Sequence, residues 1–190
     1  MNPYWQAMVL QVLCVPVLVG AHCATAVTDT DRLQLLTTAQ AAASDALITA
    51  RRTTQDWKNL LLRGHESIER QALEKRFDTH ELAYASSLNQ LRVRLENVGM
   101  SQATMSEIEA ELQKLSQRYR DALKHHGVNT LEAAAAADRE AKGADVKTFR
   151  TLESLILELS DAVHAQFTQL KSSLSVCTTV NSSSEVLKNE

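Results

Sequence analysis

The sequence predicts an all-α protein, an elongated antiparallel up-down four-helix bundle with one short extra helix between the third and fourth long helices. Three observations carry the prediction. The 190 residues include only two prolines, Pro3 and Pro16, and five glycines, whereas sandwiches and barrels need a turn signal roughly every eight to twelve residues. Apolar residues recur at alternating spacings of three and four through four long segments, as a buried helix seam requires. Gly64, Gly99, Gly127 and Gly143 each fall where a helical segment stops. The chain is of a length that suits one domain with a sizeable core. Its 44% hydrophobic and 23% charged residues match ordinary globular usage and exclude a disordered or collagen-like chain.

The first charged residue is Asp29, and the preceding stretch holds an apolar run from Ala7 to Gly20 broken by Gln11 and Pro16. A run of about 14 residues suits a secretory signal better than a full span of roughly 20, and Ala24-Thr25-Ala26 supplies a small-x-small cleavage site. No Lys or Arg precedes the run, which leaves an anchor from Tyr4 to about Ala26 as the alternative. Residues 1–26 are therefore a signal peptide or an N-terminal membrane anchor, and either delivers the rest across a membrane. His22 stands before Cys23 where a lipoprotein needs a small residue.

The bundle is expected over residues 29–176. Its first seam runs Leu33, Leu36, Gln40, Ala43, Leu47, Ala50, Thr54, Trp57 and Leu61, with Gln40 and Thr54 as polar exceptions. The second runs Leu73, Phe77, His80, Tyr84, Leu88, Leu91, Leu95 and Val98, and the third Met105, Ile108, Leu112, Leu115, Tyr119 and Ala122. The fourth reads Phe149, Leu152, Ile156, Leu159, Val163, Phe167, Leu170 and Leu174. Gly64, Gly99, Gly127 and Gly143 read as left-handed C′ residues, three of them preceded by cations that meet the helix dipole. Between Gly127 and Gly143 a short helix is expected with Asn129 as N-cap and Glu132 at N3. Residues 177–190, rich in Ser, Thr and Asn and without a seam, read as a disordered tail.

The composition excludes several functions. Net charge is -3 with no basic block, and aromatic residues are 4%, so neither a phosphate-tracking groove nor a base-stacking platform is expected. Bundle enzymes show paired Glu-x-x-His motifs, and this chain offers only Asp161-x-x-His164 with Glu158 one turn earlier, which reads as a solvated face. Cys-x-x-Cys-His, G-x-S-x-G, a Walker loop and a dinucleotide fingerprint are all absent. The expectation is a protein that is not an enzyme and takes no metal or cofactor. His125 and His126, with Asp121 a turn before, read as dipole-compensating residues at a helix end. His80 reads as a hydrogen-bonded core histidine, and Trp57 and Tyr84 as core anchors. Cys14, Cys23 and Cys177 make no disulfide framework, and Cys177 stands unpaired if the leader is removed. On the outer face of the first helix Arg52, Asp56, Asn59 and Arg63 recur at four, three and four residues. Arg52 and Arg63 lie within about 20° of one another. Such a stripe is ordinarily solvated, but it would make half of an anion site if a second copy packed beside it.

The segment Gln55-Asp56-Trp57-Lys58-Asn59-Leu60-Leu61-Leu62-Arg63-Gly64-His65 resembles the W-K-N-x-L-L-R-G signature in the extracytoplasmic sensor region of bacterial methyl-accepting chemotaxis receptors. Tyr119-Arg120-Asp121-Ala122-Leu123, Ala137-Asp138 and Lys142-Gly143-Ala144-Asp145 are similar to that family's third-helix end and its D-x-x-x-K-G-x-D element. Val146 and Lys147 stand where the family continues with Arg and Pro. The resemblance covers roughly Asp29 to Leu174. It implies a four-helix-bundle sensor in the periplasm, or in the inner membrane with the bundle on the periplasmic side, that forms a homodimer. A small-molecule or anionic ligand would bind at the bundle or dimer interface, with Arg52, Trp57, Lys58 and Arg63 as contacts. No second apolar span precedes Glu190, so no cytoplasmic signalling domain is expected in this chain. The rival readings are a structural or protein-interaction bundle of the bacterial envelope and a degenerate receptor fragment.

Overall fold

The computed structural model describes the backbone of residues 3–100 and 102–186, and the side chains of residues 28–100 and 103–175. The described residues form five helices and no strand: α1 Pro3–Arg63, α2 Ser67–Asn97, α3 Gln102–His126, α4 Leu131–Ala141 and α5 Ala144–Val186. The chain divides into two units, one of Thr37–Ser160 and one of Met1–Leu36 with Asp161–Glu190.

In the larger unit α1 buries Ala39, Ala43, Ala46, Ala50, Thr53, Trp57 and Leu60, an unbroken alternation of four and three. Gln40 and Thr54, expected on this seam, are half-buried at its edge, and Ala39 and Thr53 take their places. The reason is polar satisfaction: an amide enclosed without a partner costs stability, whereas the Thr53 hydroxyl donates to the Thr49 carbonyl at 3.0 Å. In α2 the expected residues Leu73, Phe77, Tyr84, Leu88, Leu91 and Leu95 are buried, with His80 and Val98 half-buried. In α3 Met105, Ile108, Leu115, Tyr119 and Ala122 are buried. Leu112 is only half-buried, and Glu111 beside it is 7% exposed. Lys114 at 2.8 Å and Lys147 of α5 at 2.9 Å compensate its charge.

Cross-links fix how neighbouring helices run. Ser87 meets Thr49 at 2.9 Å and Arg76 meets Asp56 at 2.7 Å, so α1 and α2 are antiparallel. Arg92 pairs with Glu109, and Arg120 with Glu81 and Asp78, so α2 and α3 are antiparallel too. Arg51 pairs with Glu153 of α5 at 2.7 Å and lies 5.9 Å from the centre of the Phe149 ring. From α5 the buried residues of this unit are Thr148, Leu152, Leu155 and Leu159, while Phe149 and Ile156 are half-buried.

Two helix ends differ from expectation. Gly99, Gly127 and Gly143 have φ of 74°, 68° and 76°, as left-handed caps do. Gly64 does not. A Cβ there would lie 2.4 Å from the Leu60 carbonyl oxygen and 2.9 Å from Val128 Cγ2, so this glycine serves close approach. The N-cap of α4 is Thr130, with its hydroxyl accepting from the Ala133 amide at 3.1 Å, which leaves Asn129 outside the helix and Glu132 at N2. Both residue types cap well, and this cap accompanies burial of Ala134, Ala137 and Ala141.

In the smaller unit Asp29 is 8% exposed and accepts from Gln166 Nε2 at 3.0 Å, Gln169 Nε2 at 2.9 Å and Ser173 Oγ at 3.2 Å. The α5 face that carries those donors turns inward. Phe167 and Leu174, expected on the seam, are consequently about half exposed, and Val163 and Leu170 half-buried. The backbone of α5 continues beyond Cys177 to Val186, where the composition suggests disorder. The side chains of residues 1–26, of Cys14, Cys23 and Cys177 and of the tail lie outside those described, so the targeting and cysteine expectations lie outside them too. Among the described residues no helix is long and apolar enough to cross a membrane.

Candidate functional site

The C-terminal turns of α1 enter the main core of the larger unit. Trp57 and Leu60 pack with Leu73 and Phe77 of α2, Leu115, Tyr119 and Ala122 of α3, and three alanines of α4. Trp57 is 0% exposed. Its ring stacks on Tyr119 with centroids 4.5 Å apart and planes 6° apart, and Phe77 tilts against both at 6.3 and 6.2 Å. Burial pushes the Tyr119 and Tyr84 phenols well above the usual phenol range. The Tyr119 hydroxyl donates to Thr54 at 3.3 Å, whereas the enclosed Tyr84 hydroxyl has no hydrogen-bond partner among the described residues.

The four residues proposed from sequence as ligand contacts do not converge. Trp57 is a core anchor. Lys58 pairs with Asp138 of α4 and points about 240° around the helix from Arg52. Arg63 pairs with Glu69 at 2.5 Å, and Arg52 is exposed with no ion pair among the described residues. The outer stripe is also interrupted. Asp56 is 5% exposed because the flank of α2 covers it, with Arg76 and the His80 Nδ1–H on its two carboxylate oxygens. His80 is thus hydrogen-bonded as expected, but it stands half-buried at the edge of the core.

A cleft of about 280 Å³ lies beside the motif, between α2 and the end of α3. Leu60, Phe77, Leu123 and Val128 back it, and Arg70, Glu74, Asp78 and Arg120 form its charged rim. The Arg70 Nε–H donates to the Gly64 carbonyl at 2.6 Å, which ties this rim to the end of α1. A second cleft, of about 240 Å³, lies where α2 gives way to α3, among Arg92, Leu95, Met100, Met105 and Glu109. Arg92 and Glu109 pair with one another there, and Glu96 adds a second carboxylate to the lining. The rim residues were overlooked in the sequence although a signal exists: Arg70, Glu74 and Asp78 recur every fourth residue beside the Leu73–Phe77 seam.

A third polar cluster holds α4. His125 Nδ1 and His126 Nε2 contact the two Glu140 oxygens at 2.9 and 2.8 Å, and Arg118 Nε donates to the Glu140 backbone carbonyl at 3.0 Å. The His125 hydrogen bond, then that of His126, holds the Glu140 carboxyl below the usual carboxylate range. Hydrogen bonds from Lys114 and Lys147 do the same for Glu111. Glu158, Asp161 and His164 are exposed. Among the described residues no three His, Cys, Asp or Glu side chains converge on a metal position. No protein-family model, curated protein or solved structure matches the chain.

Proposed function

We propose that this chain is a ligand-sensing module of chemoreceptor type, in which the four long helices form an elongated up-down bundle that works as a homodimer on the periplasmic side of the inner membrane. The observation that carries the reading is the stretch Trp57–Gly64. Its tryptophan is wholly enclosed and stacked on Tyr119, and its glycine is pressed against Leu60 and Val128. Lys58 and Arg63 reach Asp138 and Glu69 from the same stretch. A small change in packing at this joint is therefore felt by four helices. A ligand that binds one packing better than another shifts the population by that difference in affinity. Arg52 is the cation of the original set still free to meet an anionic ligand from the outer face of α1.

Thermal-shift screening of the purified full chain against amino acids, organic acids and inorganic anions tests the sensing role. Stabilisation by at least one class is expected, in the monomer or the dimer fraction. A flat response in both fractions rejects a small-ligand sensor. Ile68 at 93% and Leu62 at 67% exposure favour a second reading, a bundle that docks an envelope protein. That reading predicts a specific partner whose capture is lost when both residues become serine, with no response to small molecules.

A further inference from the structure

We propose that the cleft where α2 gives way to α3 is a binding site for one soft monovalent metal ion, cuprous or silver, held between the thioether sulfurs of Met100 and Met105. The site lies at the opposite end of α2 from Gly64 and goes beyond the sensing role, since it holds or fails without it. It also departs from the expectation of a protein without metal, which follows from imidazole and carboxylate motifs; thioethers stand outside those motifs. Of the four methionines, Met1 and Met8 precede the first charged residue, and the other two both line this cleft of about 240 Å³.

Local structure brings the two together. Gly99, with φ of 74°, closes α2; its amide donates to the Glu96 carbonyl at 3.0 Å and the Met100 amide to the Leu95 carbonyl at 3.0 Å. That pair of bonds is the Schellman ending, in which the residue after the glycine folds back toward the one five before it, and Met100 and Leu95 line the cleft together. Met100 is half-buried. Met105 sits in the first turn of α3 and is 3% exposed. Each thioether rides on an unbranched stem with several rotatable bonds, so the two sulfurs can close on an ion without movement of the backbone.

The charges fix the sign of the occupant. Arg92 is paired with Glu109, whereas the exposed Glu96 has no ion pair among the described residues. The hydrogen bond to Glu109, with the charges of Glu109 and Glu96, holds the Arg92 guanidinium above its ordinary range. Both carboxylates therefore stand near one guanidinium, and the lining keeps one negative charge in excess. An anion is repelled there and a single positive charge is matched. The donors fix the class. Ser106 adds a hydroxyl, but hard cations require a shell of several oxygens, which one hydroxyl and a carboxylate do not make. Thioether sulfur instead selects cuprous ion, and silver shares its charge and softness. Two sulfurs suffice for a monovalent ion with a filled d shell.

Silver ion, added as the nitrate in chloride-free buffer, tests the site on the full chain with Cys14, Cys23 and Cys177 replaced by serine, since thiolates compete for soft metals. The readout is the NMR signal of each isotope-labelled methionine methyl, assigned with Met100→Leu and Met105→Leu, which conserve volume; circular dichroism checks that each variant folds as the parent does. The Met100 and Met105 methyls should shift together with one dissociation constant and saturate at one ion per chain, while sodium at the same concentration moves neither. Removing one of two linked donors should weaken binding at the other about tenfold or more, so the Met105 methyl should need that much more silver in Met100→Leu, and the Met100 methyl in Met105→Leu. Glu96→Gln should weaken binding at both sulfurs by about two- to fivefold, as loss of an exposed charge pair does. Methyls that stay still, that titrate with separate constants, that sodium moves equally, or that keep their affinity when the other sulfur is gone overturn the site. Coupled shifts alongside a flat thermal response to amino acids, organic acids and inorganic anions support the site and leave the sensing role rejected.

Discussion

At the scale of single residues, Gly64 separates two reasons for a glycine that look identical in sequence. A left-handed cap tolerates asparagine, because Asn adopts positive φ readily. A glycine that makes room does not, because any Cβ meets the same atoms. Adding a Cβ at Gly64 brings it within 2.4 Å of a backbone oxygen that cannot swing aside, whereas at Gly99, with φ of 74°, nothing lies within 4 Å. Gly64→Asn and Gly64→Ala should each cost about 1–3 kcal/mol, in the range of overpacked sites, and Gly99→Asn should cost well under 1 kcal/mol. Urea midpoints of the three variants check this, and equal tolerance of Asn at both positions would contradict it. Trp57 is a simpler case. Trp57→Ala removes a wholly enclosed ring stacked on Tyr119, and about 3–5 kcal/mol should be lost. The aromatic seam residues were legible because their size leaves them few places to go. The buried state of Asp56 was not, because its partners Arg76 and His80 lie a helix away and in sequence it stands in a polar run.

At the scale of elements, α2 followed its apolar period through every buried position, while α3 and α5 departed from theirs wherever polar groups on different helices satisfied one another. Glu111 took the place beside Leu112 because two lysines reach it. Gln166 turned inward because Asp29 accepts its amide. Such exchanges are invisible to a single-helix period, which reads every charge as solvent-facing. The docking of α4 gives this a pH dependence. Glu140 joins α4 to the two histidines that end α3, and its carboxyl is held below the usual range. A carboxylate whose folded-state value is lowered stabilises the fold at pH above its unfolded value, roughly 4.3, and loses that contribution as pH falls through the lowered folded value. The stability difference between wild type and Glu140→Gln should therefore be level near pH 5–6 and shrink progressively below about pH 4. Denaturant titrations at stepped pH measure it, and a difference that stays constant down to pH 3 would remove Glu140 as the anchor of α4.

At the scale of the whole molecule, helical class was legible from proline scarcity and period alone, because both act through the backbone. How the helices are arranged and what they bind depend on which faces meet, and several arrangements share the same seams. The described side chains of the two units also differ in what they enclose. Thr37–Ser160 encloses an aromatic and aliphatic core. Among the described side chains of the other unit, the central contact is a carboxylate clasped by two amides and a hydroxyl, Asp29 with Gln166, Gln169 and Ser173. Hydrogen bonds contribute only about 1 kcal/mol each net of solvation, and Phe167 and Leu174 leave much of their apolar surface in water. Local opening follows such differences, since segments with little buried apolar area exchange their amides through small fluctuations. Asp29→Ala removes the carboxylate shared by all three donors and leaves the buried Gln166 amide only the long contact to the Asp29 backbone carbonyl, at 3.4 Å. Amide exchange over residues 161–175 should then accelerate about tenfold or more, because 1.4 kcal/mol corresponds to a factor of ten in an opening equilibrium. Residues 73–95 should keep their protection, because their buried face is part of the other unit's apolar core. Acceleration of equal size in both regions would mean that the two units open as one, and that the clasp at Asp29 supports the entire fold.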